Sequence, residues 1–133
     1  MWYYRDRPVT EQDLEGQYGF VYVIENLSNG RKYIGKKFLW SKKTKQVKGK
    51  KKRYLTESDW ESYFGSNEEL KEDIKKLGED SFRRTILKLC KSKGETSYWE
   101  AKYQFDNDVL LNENFYNRWI MCRVHSSHIK TKE

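Results

Sequence analysis

The chain has 133 residues, with 27 Lys and Arg against 20 Asp and Glu, a formal net charge of +7 and a pI of about 9.3. That length fits one domain, and no run approaches the ~20 apolar residues that a membrane-spanning helix needs. A mean hydropathy of −1.07 and 35% charged residues would suit a disordered chain, but five Trp, ten Tyr and six Phe supply the bulk for a packed core.

The first eight residues, Met1 to Pro8, contain no apolar segment of the kind a signal peptide carries. The two cysteines, Cys90 and Cys122, lack CxxC spacing. They are expected as buried, inert thiols in a reducing cytoplasm.

The charge is unevenly placed. Ten basic residues and no acidic one lie between Lys36 and Arg53: Lys36, Lys37, Lys42, Lys43, Lys45, Lys48, Lys50, Lys51, Lys52 and Arg53. Against a total of +7, the rest of the chain is therefore net acidic. Such a block repels itself unless a polyanion partners it, and release of counterions from nucleic acid would offset that cost. The plain alternative is a solvated lysine loop. An acidic membrane is a weak fit because no amphipathic helix accompanies the lysines.

In chain order, residues 1–17 read as a polar N-terminal arm. Phe20 to Ile24 is β-branched and aromatic, a strand composition. Asn29-Gly30 signals a tight reversal, and Lys32 to Gly35 returns, so residues 18–37 read as a β-hairpin. The basic insertion over 36–53 reads as a loop with at most a short helix, and Thr56 to Phe64 as a short helix. Ser66 followed three residues later by Glu69 has capping-box form. Leu70, Ile74 and Leu77 recur at helical spacing, and Gly78 is a natural stop, which predicts a helix over 67–77. Phe82 to Cys90 reads as a third strand. Ser97 opens a second helix that ends near Asp106, and residues 125–133 form a tail after a main domain over 18–124. The expected fold is α+β, a short, mostly antiparallel three-stranded sheet flanked by helices.

With these elements in place, Phe20-Val21-Tyr22 and Lys32-Tyr33-Ile34-Gly35 resemble the paired motif of the GIY-YIG nuclease family. Gly19 lies one residue early, and Phe20 takes the family's glycine position. Tyr63-Phe64-Gly65-Ser66 is similar to the start of the family's central helix. Glu100 sits where the family carries a metal-binding glutamate, and Asn117 resembles the asparagine that closes the motif set. The chain is similar to the phage-encoded Seg-type free-standing homing endonucleases. The resemblance implies a DNA endonuclease that uses Mg²⁺ or Mn²⁺ and leaves 5′-phosphate and 3′-hydroxyl ends. It implies Tyr22, Tyr33, Glu100 and Asn117 as site residues, with Glu100 on the metal. For the family's catalytic arginine, counting from Tyr33 gives Lys43 and counting back from Ser66 gives Arg53. Arg53 is preferred because a guanidinium grips phosphate bidentately, and Lys36 is a third candidate.

The residues suit this chemistry on their own terms. Phosphodiester cleavage needs a positioned water, a proton acceptor, charge neutralisation at phosphorus and help for the leaving oxygen. One carboxylate can hold a Mg²⁺ that keeps most of its waters, and the ion acts as Lewis acid. Tyr22, with an ordinary pKa of about 10, would need nearby cations to serve as a base. Lys36, Lys37, Lys42, Lys45, Lys48, Lys50, Lys51 and Lys52 would hold the DNA backbone. Taken separately, the signals have plainer readings: cross-strand aromatic packing for the tyrosines, a capping box with Ser97 for Glu100, and a loop cap for Asn117. Trp40, Trp60 and Trp119 read as core packing before base stacking. His125 and His128 lack the further ligands a metal site needs.

The rival functions are a DNA-binding module without catalysis, and a structure-directed repair or RNA nuclease. A separate DNA-reading domain does not fit beside the nuclease-like region, so target choice would fall to the arm, the lysines, the tail or a partner, with modest specificity and steep salt dependence. A double-strand cut needs two strand visits or a homodimer.

Overall fold

The computed structural model describes residues 1–123 and 125–128. Ten elements follow in order: β1 (Trp2–Tyr4), β2 (Arg7–Pro8), α1 (Glu11–Leu14), β3 (Gly19–Asn26), β4 (Lys32–Phe38), β5 (Trp40–Val47), β6 (Lys50–Glu57), α2 (Glu68–Leu77), β7 (Phe82–Cys90) and α3 (Lys93–Asp106). The class is α+β, but the sheet is larger than the three strands expected. It has five strands in the order β2-β1-β7-β3-β4, with β1 parallel to β7 and the other pairs antiparallel. The two extra strands come from the segment read as an arm. Its polar composition hid Trp2, which is 3% exposed and meets Phe20 and Tyr22 edge-on at 4.9 and 5.4 Å.

The sheet separates two apolar layers. Phe20, Tyr22, Ile24 and Ile86 lie on the α2 side, joined by Trp2, Leu70 and Tyr116. Val21, Ile34 and Cys90 face α3, where Trp99 and Tyr103 pack on them. Fully burying each large side chain of this kind contributes about 1.5–3 kcal/mol. The β3–β7 register slips between Val21 and Tyr22, so that Val21 pairs with Lys88 and Tyr22 with Ile86. This bulge keeps both Leu89 and Ile86 on the Tyr22 face.

The basic insertion is a β-ribbon, not a loop: β5 pairs with β6 from Trp40↔Glu57 to Val47↔Lys50. Lys48 and Gly49 both have positive φ, 50° and 76°, as a two-residue hairpin turn of matching twist requires. In the β3–β4 reversal only Gly30 adopts positive φ (77°), within a longer loop closed by Gly30 N–H donating to Asn26 O at 2.8 Å. The helix expected over 56–64 is a single 3₁₀ turn, Trp60–Ser62. α2 lies where its periodicity placed it, capped by Asn67, whose side chain accepts from Leu70 N–H at 2.9 Å, rather than by Ser66.

α3 starts four residues before Ser97. Ser92 is its cap, accepting from Glu95 N–H at 3.1 Å, so Glu100 lies mid-helix and the capping-box reading with Ser97 does not hold. Cys90 is buried, and its thiol is pushed up to about 11 by burial; Cys122 is exposed, against expectation. Trp60 packs on the core, but Trp40 and Trp119 are 40% and 77% exposed. Of the tail, residues 129–133 and the side chain of His128 lie outside the described residues.

Candidate active site

Tyr22 and Tyr33 stand on neighbouring strands, on the α2 side of the sheet, with ring centroids 6.2 Å apart. Between them, Gly35 is opposite Tyr22 in the register. A Cβ at Gly35 would lie 2.5 Å from the Tyr22 hydroxyl and 2.9 Å from Tyr33 Cε2. The glycine of the YIG run is thus a steric requirement of the two phenols.

Tyr63 meets Tyr22 edge-on at 6.0 Å, and Ser66 Oγ lies 3.4 Å from the Tyr33 hydroxyl. Tyr63 is held from behind by Arg84. This buried guanidinium, 4% exposed, donates to Tyr63 O at 2.7 Å and Glu61 O at 2.9 Å, and lies over the rings of Trp2 and Phe64. Burial lowers its pKa. Neither Tyr63 nor Arg84 was singled out from sequence as a site residue. The Tyr-Phe-Gly-Ser run was the available signal for Tyr63; Arg84 gave none, because a strand arginine reads as surface.

Glu100 rises from the middle of α3. Its carboxylate is 3.6 Å from Lys36 Nζ, and its side chain is 14% exposed. Lys36 also donates to Ser97 Oγ at 2.9 Å. Burial raises the Glu100 carboxyl, and Lys36 only partly offsets the shift. The Glu100 charge is felt at both phenols. Burial raises Tyr22 well above 10, with Tyr63, Tyr33 and Glu100 adding to the effect, and burial raises Tyr33 as well. In this state both phenols are protonated at neutral pH, the opposite of the acidified Tyr22 that a resting base would need.

The structure thus pairs Tyr22 with Tyr33 on the α2 side of the sheet and Lys36 with Glu100 on the α3 side, and the Glu100 charge bears on both phenols. Lys37 lies on the tyrosine face of β4, with Nζ 4.2 Å over the Tyr63 ring and 2.6 Å from Asp59. Asn117 is 2% exposed and serves the backbone: Oδ1 accepts from Ile34 N–H at 3.0 Å and Nδ2 donates to Ile34 O at 2.8 Å. It orders the residue between Tyr33 and Gly35. Lys43 and Arg53 stand exposed on the ribbon, opposite Tyr54 and Thr44, and neither is among the groups that shift Tyr22, Tyr33 or Glu100. At ~3.3 Å per residue, Lys43 lies roughly 10 Å out from the ribbon base at Trp40. Lys45, Lys48, Lys50, Lys51 and Lys52 are also exposed on the ribbon. Lys42, at its foot, shares a cavity of about 340 Å³ with Lys36, Lys37 and Lys93.

Among the described residues no cluster of three or more His, Cys, Asp or Glu could hold a metal. A single carboxylate nonetheless fits a hard cation that keeps most of its waters. The sheltered Glu100 carboxylate, with Lys36 Nζ 3.6 Å away, has the chemistry such a ligand would need. Among the described residues no helix is long and apolar enough to cross a membrane.

Residues 2–120 match the family model described as "Putative endonuclease segE, GIY-YIG domain". The chain is 34% identical over 100 residues to "Putative endonuclease segE" of Enterobacteria phage T4, an alignment that covers 75% of this chain and 40% of that protein. No solved structure matches. The chain spans less than half the length of the phage T4 relative. With the tyrosine pair, Gly35 and Glu100 in the arrangement described, the chain belongs to the segE-type GIY-YIG family.

Proposed function

We propose that the chain is a divalent-metal-dependent DNA endonuclease of the homing type, which hydrolyses phosphodiester bonds to leave 5′-phosphate and 3′-hydroxyl ends. The observation that supports this reading is the Tyr22–Tyr33 pair together with a sheltered Glu100 carboxylate beside Lys36, whose charge bears on both phenols. Binding alone gives no reason to shelter a carboxylate beside Lys36 where its charge bears on two phenols. The segE name of the phage T4 relative, itself an endonuclease description, supports the same reading.

Glu100 would hold a Mg²⁺ or Mn²⁺ ion, which supplies Lewis-acid polarisation of the phosphate and stabilises the leaving 3′ oxygen. Lys36 Nζ neutralises charge developing at phosphorus. Tyr22 and Tyr33 orient the attacking water with their hydroxyls. Because Tyr22 rests protonated, its oxygen takes the water's proton as its own passes to the Tyr63 oxygen and the Tyr63 hydroxyl proton passes to solvent. Lys37, Lys42 and Lys93 line the adjoining cavity and suit a neighbouring backbone phosphate. Lys43 and Arg53, out on the ribbon, bind DNA rather than the reacting group.

The test is nicking of supercoiled plasmid with Mg²⁺, with Mn²⁺ and with chelator, beside Glu100→Ala. Metal-dependent nicking that the substitution abolishes, with ends that a ligase reseals directly, supports the reading. Retarded DNA in a gel with no nicking under any metal would leave a binding module instead.

A further inference from the structure

The ribbon has two chemically different faces. Directly opposite residues of an antiparallel pair share a face, and faces alternate along each strand. From the register, Thr44↔Arg53 and Gln46↔Lys51 lie on one face, and Lys43↔Tyr54, Lys45↔Lys52 and Val47↔Lys50 on the other. The second face therefore places Lys45 directly across from Lys52, flanked by Lys43 and Lys50. Like charges opposite one another destabilise a ribbon, and among the described residues no carboxylate forms an ion pair with any of these four. The first face carries the side chains that pair with base edges: Arg or Lys with guanine, Gln with adenine, Thr with the thymine methyl.

The ribbon is also built to stand out from the body. Both strands have eight residues, β5 and β6 pair chiefly with each other, and the tip from Lys42 to Arg53 is exposed apart from Val47. Its base is pinned: Ser58 N–H donates to Leu39 O at 2.9 Å, and Ser58 Oγ donates to Phe38 O at 2.6 Å. A two-stranded ribbon fits the major groove, about 12 Å wide and 8.5 Å deep. With one face on the groove floor, long lysine side chains on the other reach the level of the rim, where the phosphates lie.

We propose that the β5–β6 ribbon enters the major groove of duplex DNA, with Thr44, Gln46, Lys51 and Arg53 toward the base edges and Lys43, Lys45, Lys50 and Lys52 on the rim phosphates. This gives a nuclease-sized domain a sequence-reading element of its own. The inference rests on the DNA reading above.

The experiment uses Glu100→Gln protein to hold DNA uncut. Duplexes are selected from a random library by binding, and contacts are mapped with dimethyl sulfate, which methylates guanine N7 in the major groove and adenine N3 in the minor groove. The expected result is protection of guanine N7. Gln46→Ala with Arg53→Ala should lower the ratio of selected to random affinity by about tenfold or more. Lys45→Ala with Lys52→Ala should weaken all sequences alike and reduce the slope of log affinity against log salt by about two. Absence of any selected sequence, protection of adenine N3 alone, or an unchanged ratio in the Gln46/Arg53 variant would overturn the inference while DNA binding stands. Failure of both the unaltered and the Glu100→Gln protein to bind any duplex would overturn the DNA reading, and the ribbon's role with it. Binding by the unaltered protein without nicking would remove the endonuclease reading alone.

Discussion

Both amide atoms of Asn117 are occupied by the main chain of Ile34, which lies on the edge strand between Tyr33 and Gly35. The side chain acts as one residue's worth of a missing sixth strand. Gln104 Nε2 donates to the same carbonyl at 2.9 Å, and Tyr116 N–H donates to Lys32 O at 2.7 Å, so the chain around residue 117 is laid along the open edge of β4. Asn117 is therefore a positioning residue.

Asn117→Ala leaves the buried Ile34 N–H without a partner, whereas the carbonyl keeps Gln104. The expected loss is roughly 1–3 kcal/mol, measured by urea denaturation. Nicking should fall as β4 loosens. Asn117→Asp retains the acceptor but sets a second oxygen against Ile34 O, so it should not rescue.

Gly35→Ala forces its methyl into the Tyr22 hydroxyl, and Tyr22 cannot yield easily, boxed by Trp2, Phe20, Tyr33 and Tyr63. Overpacking of this kind costs about 1–3 kcal/mol. Gly49→Ala is the contrast: its Cβ meets nothing within 4 Å, and its cost comes from a φ of +76° at the ribbon tip. Thermal denaturation should show destabilisation in both, with nicking of short duplexes lost far more in Gly35→Ala.

Much of this was legible in the residues. Strand composition located β3, β4 and β7, and helical spacing with Gly78 located α2, because these elements are patterned by one buried face. Motif order singled out the tyrosine pair and Glu100 as candidates, and the register sets the two tyrosines on neighbouring strands. What escaped were features with no local pattern. Trp2 enters the core through parallel pairing with a strand some eighty residues away. A lysine-rich segment has the charge of a loop, yet Lys48-Gly49 supplied the hairpin turn. Ser92-Lys93-Gly94-Glu95 carried the same capping signature as the segment before α2, but a glycine masked the start of α3. The choice among Lys36, Lys43 and Arg53 depended on where a ribbon points, which counting along the chain does not supply.

Glu100 sets the pH behaviour. Burial raises its carboxyl above the ordinary 4.5 in the folded chain. The folded state thus binds this proton more tightly than the unfolded one. The resulting stability is fully present below the ordinary pKa and lost as pH rises through the raised one. Glu100→Gln should therefore melt above the wild type at neutral pH, with the difference fading in acid, while abolishing nicking. Since the ionised carboxylate is the form that holds a cation, wild-type nicking should show an acidic limb that lies above ordinary carboxylate titration and moves down as metal concentration rises.

Lys36 and Arg53 should separate by kinetic parameter. Lys36 lies against Glu100, so Lys36→Ala should lower kcat by about 100-fold or more, the scale of losing one donor to a developing oxyanion. Arg53→Ala should leave kcat within about threefold and raise KM, with the deficit growing with salt as phosphate and groove contacts do. Steady-state nicking of a short duplex at two salt concentrations distinguishes them.

The most direct measurement is the nicking rate of Tyr22→Phe at saturating Mg²⁺, with thermal denaturation as a check on folding. The change removes one oxygen from a ring that otherwise keeps its packing. The account predicts a folded protein whose nicking is at least about 100-fold slower, the lower range for a group that handles the proton in the chemical step. A folded variant that nicks at the wild-type rate would contradict it.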